Sequence, residues 1–154
     1  MRSCRPWGAV LTRVVLVAIA VTATACDEQL SDITGPTPSL EPTFSNIREN
    51  IFETTDSAGR TACVACHTSQ GRPPAGGLDL SSDPYGALVN RPSRQQEAAV
   101  QVIPGDPAGS YLIQKLQGTE DIAGFRMPRN GPPYLTEGQV LVIERWIQLG
   151  ARND

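Results

Sequence analysis

Residues 62–69 read "ACVACHTS" and place two thiols and one imidazole within a single turn of chain. Cys63, Cys66 and His67 form the pattern C-x-x-C-H. Four kinds of chemistry use such a pattern: a metal site, a structural disulfide, a disulfide-exchange pair, and covalent attachment of haem. Each requires a different setting, so the remainder of the chain decides between them.

The first 25 residues predict an export signal. Three arginines, at positions 2, 5 and 13, precede the apolar run "VVLVAIAVTATA" of residues 14–25. Twelve residues rise only about 18 Å as a helix, which is too short for a bilayer core of ~30 Å. We therefore expect residues 1–25 to be a signal peptide that is removed on export.

Cys26 follows the small triplet "ATA" directly, and this arrangement resembles the lipobox of bacterial lipoproteins. The resemblance implies that Cys26 is lipidated, becomes the mature N-terminus and anchors the protein on the periplasmic side of a membrane, or on the outer face of the cell membrane. Ordinary signal cleavage beside a free cysteine is the alternative. The acidic, proline-containing residues 26–42 predict a flexible tether, although an ordered arm on the domain is also compatible with them.

The composition indicates one small domain without a nucleic-acid partner. The chain has 154 residues, a net charge of −3 and no basic cluster. Without residues 1–25 it keeps 10 basic and 16 acidic residues, a net charge of −6, which favours a basic or neutral docking partner. Aromatic residues make up only 5 %, so the core is either small and aliphatic or filled by something other than aromatic side chains. Because so much of the chain is loop, we expect a large apolar object at the centre.

Residues 43–154 predict an all-α domain of three to five short helices joined by long loops. Phe44, Ile47 and Ile51 form one helical stripe, with Phe52 beside them. Residues 68–80 are rich in glycine and proline, which excludes a long helix there.

Helix signals are also present in the second half of the chain. The Asp-Pro pairs at residues 83–84 and 106–107 predict helix starts, and Gly118 predicts the end of the second of these helices. Thr136 and Gln139 predict a capping box, Leu135 and Val140 a hydrophobic staple, and Gly150 the end of the last helix.

Covalent haem attachment accounts best for Cys63, Cys66 and His67. A structural zinc site needs four ligands, but His67 is the only histidine of the chain. A thioredoxin-like pair needs a βαβ setting, and the flanking residues predict a helix and a loop. A disulfide between Cys63 and Cys66 would close a very small loop and leave His67 unexplained. In the haem interpretation both thiols add to vinyl groups, and His67 is the proximal iron ligand.

The sixth iron ligand must come from another residue type, and Met127 is the best candidate. Apart from Met1 it is the only methionine, and it lies in the proline- and glycine-rich segment "GFRMPRNGPPY". Such a segment can present a thioether from a non-helical loop. Lys115 and Tyr134 are the alternative ligands.

These motifs together resemble a monohaem class I cytochrome c, and more narrowly the small cytochrome c domains common in planctomycetes. The matching stretches, within about residues 44–152, are "CVACH", "GGLDL", "VIPGDPAGSYLIQKL" and "FRMPRNGPPYLTEGQVLVIERWIQLGA". The resemblance implies the class I fold, one haem c with iron ligated by His67 and Met127, and a C-terminal helix packed across the first. It also implies a proline carbonyl that holds the proximal imidazole, for which Pro73 and Pro74 are both candidates.

The function implied is transfer of single electrons to redox protein partners, by a carrier rather than an enzyme. A membrane-associated oxidoreductase is one possible partner complex. We expect Tyr111, Leu112, Leu116 and Trp146 to exclude water from the haem. A haem-based ligand-binding or sensor protein, with a labile sixth ligand, is the alternative function.

Overall fold

The structure is a computed structural model that describes residues 40–154. The predicted signal peptide, Cys26 and the tether as far as residue 39 lie outside the described residues. In the described range, no helix is long and apolar enough to cross a membrane.

Four α-helices form the framework of residues 40–154. They are α1 (Phe44–Ile47), α2 (Pro84–Leu88), α3 (Tyr111–Gln117) and α4 (Glu137–Gln148). A π-helical turn, Arg48–Phe52, continues α1, and single 3₁₀ turns occur at Cys63–Ala65 and Ala75–Gly77. Between residues 40 and 154 the backbone forms isolated β-bridges, such as that of Val89 with Val102, but no β-strand.

Helix α4 has the capping box predicted from the sequence. The side chain of Thr136 accepts a hydrogen bond from the Gln139 backbone N–H at 3.2 Å, and the Gln139 side chain accepts from the Thr136 N–H at 3.0 Å. These bonds satisfy backbone donors that the first turn of a helix leaves free. Gly150, with a φ of 100°, follows the end of α4 as expected.

Helix α3 begins later than the sequence predicted. The Asp106 side chain accepts from the Gly109 N–H at 2.9 Å and forms a separate turn. Ser110 then precedes α3, while its hydroxyl donates to the Asp106 carbonyl at 2.7 Å. The Asp-Pro signal at Asp106 therefore marks a turn and not a helix start, because Asp side chains stabilise both. Gly118 ends α3 in the left-handed conformation, as predicted.

The core lies where α4 contacts both α1 and α3. The apolar stripe predicted for the first helix, with Phe52, is buried there. Trp146 of α4 is 1 % exposed, and its ring lies 5.4 Å from that of Phe44. Its indole N–H donates to the Arg152 carbonyl at 2.8 Å.

Residue Asp154 completes the start of α1. Its side chain accepts a hydrogen bond from the Phe44 N–H at 2.9 Å, and its backbone oxygen accepts one from Ser45 at 3.0 Å. The last turn of the described chain therefore satisfies two of the free donors of α1. This contact ties the start of α1 to the chain that follows α4.

Truncation of Trp146 tests the α1–α4 interface. We expect Trp146→Ala to lower the free energy of unfolding by about 3–5 kcal/mol, because it removes a fully buried ring and leaves a cavity. Leu141→Ala, on the exposed side of the same helix, should change it by less than ~0.5 kcal/mol. Guanidinium unfolding followed by circular dichroism measures both. Equal effects of the two variants would contradict this packing.

Candidate haem site

The C-x-x-C-H segment forms one tight turn. The His67 and Cys66 backbone N–H groups both donate to the Cys63 carbonyl, at 2.9 and 3.1 Å. Cys63 is half-buried and Cys66 is exposed, and both are free thiols. The turn thus presents two thiols and one imidazole from three neighbouring positions.

The loop after the turn folds back and holds His67 in place. The Leu80 N–H donates to the His67 carbonyl at 2.9 Å, and His67 Nδ1 lies 3.3 Å from the Leu78 carbonyl oxygen. Nδ1 must carry the proton to donate to that oxygen, and Nε2 then keeps a lone pair for a metal. Burial lowers the pKa of His67, so the imidazole is neutral near pH 7.

The carbonyl that accepts the bond from His67 Nδ1 belongs to Leu78, and not to Pro73 or Pro74. The expectation of a proline carbonyl is therefore wrong here. Gly76 and Gly77 have φ values of 61° and 71°, a conformation that costs glycine little. They reverse the chain, so that Leu78 rather than either proline comes beside the imidazole.

Met127 lies in a loop that Lys115 of α3 holds from beneath. The Lys115 ammonium donates to the carbonyls of Ala123 at 2.8 Å and Phe125 at 2.6 Å. The Lys115 carbonyl in turn accepts from the Met127 N–H at 2.8 Å. One residue of α3 therefore fixes three positions of the loop, including the backbone of Met127 itself.

Two further α3 contacts fix the same loop. The Tyr111 hydroxyl accepts from the Ala123 N–H at 3.0 Å, and Arg126 Nε donates to the Leu116 carbonyl at 2.8 Å. The Arg126 guanidinium lies 4.1 Å above the Tyr134 ring centroid, a favourable cation–π distance. Both alternative iron ligands, Lys115 and Tyr134, are thus engaged in holding the Met127 loop.

All four residues predicted for the haem line a single cavity. This outer cavity has a volume of about 520 Å³, and Cys63, Cys66, His67 and Met127 contribute to its wall. An inner cavity of about 70 Å³ continues beneath it and also contacts Cys63, His67 and Met127. The cleft therefore runs between the imidazole and the thioether, with both thiols at its outer part.

The walls of the inner cavity are largely apolar. Tyr111, Leu112 and Leu116 line it, as the sequence predicted. Trp146 does not, and that prediction is wrong, because its ring packs against Phe44 in the α1–α4 interface. Helical periodicity shows that a side chain is buried, but it does not distinguish the cleft from the helix interface.

Arg60 is a buried residue of this site that the sequence did not reveal. It is 1 % exposed, and its guanidinium donates to the carbonyls of Ile51 at 3.2 Å and Thr54 at 3.3 Å. Arg60 Nε forms a 3.1 Å ion pair with Asp56. The segment "DSAGR" carries only polar and small residues, so nothing in its pattern predicted burial.

Arg60 and the main chain surround the Cys63 thiol. One guanidinium nitrogen lies 4.0 Å from Cys63 Sγ, and that sulfur lies 3.7 Å from the Ile51 carbonyl. Burial raises the pKa of the Cys63 thiol, and the positive charge of Arg60 opposes this rise only in part. The loop of residues 53–62 is therefore organised around the side of the turn that carries Cys63.

No protein-family model, curated protein or solved structure matches this chain. The resemblance of the motifs to class I cytochrome c therefore stays a prediction. Any function proposed for the chain rests on the residues that line the cleft.

Replacement of Arg60 tests its part in this architecture. We expect Arg60→Met to lower the free energy of unfolding by about 3–5 kcal/mol, because it removes a fully buried guanidinium on which the half-buried Asp56 carboxylate and two carbonyls depend. Arg48→Met is the matched control, since Arg48 forms an exposed ion pair with Glu53 and exposed pairs contribute little. Chemical denaturation measures the free energy of unfolding of both variants. Equal losses in Arg60→Met and Arg48→Met would contradict the role of Arg60.

Proposed function

We propose that this chain is an exported monohaem c-type cytochrome that carries single electrons. Cys63 and Cys66 would hold one haem c through thioether bonds, and His67 and Met127 would be the axial ligands of its iron. The observation that carries the proposal is that these four residues line one cavity. His67 and Met127 are 60 residues apart in the sequence. Their presence in the wall of the same cavity therefore results from the fold and not from closeness along the chain.

The donor set fits a covalently attached haem. Two thiols on one turn suit the two vinyl groups of a porphyrin, and a neutral imidazole with its Nδ1–H already donated suits iron. The outer cavity of about 520 Å³ lies within the range of ~300–1,000 Å³ common for cofactor pockets. Contact between α1 and α4 is what the class I cytochrome c fold implies, and we propose that fold for residues 43–154.

Haem c supplies an iron that exchanges one electron between its ferrous and ferric states. In this chain His67 and Met127 would remain the ligands of the iron in both states. Tyr111, Leu112 and Leu116 would exclude water. A neutral thioether ligand raises the reduction potential. The polypeptide thus provides orientation, a dry environment and a fixed coordination geometry.

The firm attachment of the Met127 loop supports a carrier rather than an enzyme or a sensor. Lys115 binds two carbonyls of the loop and the Met127 N–H. A sensor needs a sixth ligand that an incoming molecule displaces readily. Detaching Met127 from this loop would break several hydrogen bonds, or would require the side chain alone to swing away.

The opening of the outer cavity suggests how an electron-transfer partner docks. Arg72 and Arg129 are the charged side chains of its wall, and Phe125 nearby is 62 % exposed. A positive rim with an exposed aromatic ring suits a partner with an acidic docking face. This local charge is opposite to the net charge of −6 that the chain keeps without residues 1–25, from which a basic or neutral partner was expected.

Export and lipidation at Cys26 would place the carrier beside membrane partners. A tether raises the effective concentration of a partner without any additional contact. We propose a periplasmic-side or outer-face location, with redox proteins or a membrane-associated oxidoreductase as partners.

Carbon monoxide binding to the reduced protein tests the sixth ligand. We expect the wild-type spectrum to remain unchanged on mixing, because Met127 occupies the iron. Met127→Ala should bind carbon monoxide rapidly and show a lower reduction potential, whereas Leu141→Ala, an exposed apolar truncation, should behave like wild type. The visible spectrum and a redox titration measure these effects.

Rapid carbon monoxide binding by the wild type would favour the sensor alternative. Wild-type protein without covalent haem, after expression in a host that attaches c-type haem, would overturn the proposed function as a whole.

Cell fractionation tests the membrane anchor. We expect Cys26→Ser to move the protein from the membrane fraction to the soluble exported fraction with its haem content unchanged. Cys4→Ser is the matched control, since Cys4 lies in the predicted signal peptide, and it should stay in the membrane fraction. Membrane retention of Cys26→Ser would exclude Cys26 as the anchor.

A further inference from the structure

Residues 91–101 form a loop that supplies polar side chains to the end of the cleft away from Cys66. Gln95 and Gln101 line the inner cavity. Arg94 and Gln101 line a neighbouring side cavity of about 470 Å³. No sequence motif points to a role for this loop, and the proposed electron transfer through His67 and Met127 does not use it.

Gln101 differs from the other buried polar residues of the described chain. Arg60, Ser110, Lys115 and Gln139 are also buried, and each makes side-chain hydrogen bonds with protein groups. The side chain of Gln101, 9 % exposed, makes no such bond within residues 40–154, and it lines both the inner cavity and the side cavity. Its amide can therefore donate to a group that enters the cleft.

Arg94 and Gln95 are exposed residues of the same loop whose side chains approach two glycines closely. A Cβ atom on Gly76 would lie 2.9 Å from the Gln95 side chain, and one on Gly77 would lie 2.6 Å from that of Arg94. Neither polar head forms a hydrogen bond or an ion pair with another described residue. These two glycines therefore permit a cluster of free N–H donors at the inner end of the cleft.

The chemistry of haem determines which of its groups reaches this cluster. A haem has its two vinyl groups on one edge and its two propionate carboxylates on the opposite edge. If Cys63 and Cys66 hold the vinyl edge, the propionates point toward the other end of the cleft. Gln95 and Gln101 line that end, and Arg94 lies beside it.

We propose that Arg94, Gln95 and Gln101 bind the propionate carboxylates of the haem. This inference rests on the proposed function and adds a ligand subsite to it. A guanidinium and two amides provide the N–H donors that carboxylates accept, with the strongest bonds from the charged group. Arg91 and Asp79 also line the side cavity. Arg91 Nε donates to the Gly86 carbonyl at 2.7 Å, and Asp79 accepts from the Ser81 hydroxyl at 2.6 Å.

The reduction potential and the vibrational spectrum of the haem-loaded protein test this subsite. Arg94→Gln should lower the potential, because loss of a positive charge beside the haem favours ferric iron. Arg145→Gln, the same change of charge on the exposed side of α4, should shift the potential several-fold less. Arg94→Lys keeps the charge and should restore most of the wild-type value.

Gln101→Leu gives a second readout that does not depend on charge. Removal of an N–H donor should shift the propionate bands in the resonance Raman spectrum, while the methionine-ligated absorption spectrum remains that of wild type. Equal potentials for Arg94→Gln and Arg145→Gln, with unchanged propionate bands in Gln101→Leu, would overturn the subsite and leave the electron carrier intact. Absence of covalent haem from the wild type would instead overturn the proposed function, and this inference with it.

Discussion

The buried ammonium group of Lys115 is the interaction on which the geometry of the cleft depends. The Met127 loop has no regular secondary structure of its own and cannot fix its position by helix or sheet hydrogen bonds. Lys115 replaces them with two bonds to loop carbonyls. Burial lowers the pKa of this lysine, a sign that desolvation works against the charge. The carbonyl dipoles offset that penalty, and in return α3 fixes the position of the Met127 loop.

Two positive side chains are buried on different sides of the cleft. Arg60 lies beside Cys63 and its loop, and Lys115 lies beneath the Met127 loop. Both organise irregular chain by binding carbonyl oxygens, a role for which multiple N–H donors on a long side chain are suited. In the proposed haem protein they would also contribute positive potential inside a region of low dielectric, which favours ferrous iron. Asp56 forms an ion pair with Arg60 and neutralises part of its charge. The Lys115 ammonium is bonded to carbonyl oxygens, so more of its charge remains.

The sequence predicted those parts of the fold and site whose causes are local. The capping box of α4, the apolar stripe of α1 and the end of α3 at Gly118 depend on neighbouring residues, and all three were predicted correctly. The start of α3 was not, because Asp106 stabilises a turn as well as it would a helix. Whether these helices form the class I fold stays a prediction.

The missed residues of the site depend on contacts that are distant in sequence. The Leu78 carbonyl reaches His67 only through the conformation of Gly76 and Gly77, and Arg60 is buried by a loop that has no periodic pattern. Lys115 carried a usable signal, since it lies four residues after Tyr111 on the apolar face of α3. Gln101 carried none, because its position in the walls of both the inner and the side cavity is visible only when the surrounding atoms are placed.

The unequal exposure of the two thiols has a consequence for the order of biosynthesis. Cys66 is exposed, but Cys63 lies among the Ile51 carbonyl and Arg60, and burial raises the pKa of its thiol. A protonated, half-buried thiol is a poor nucleophile. In the proposed cytochrome, the thioether bond at Cys63 would therefore form more readily before residues 53–62 pack around it, so that maturation would act best on an open chain, with folding as the later event.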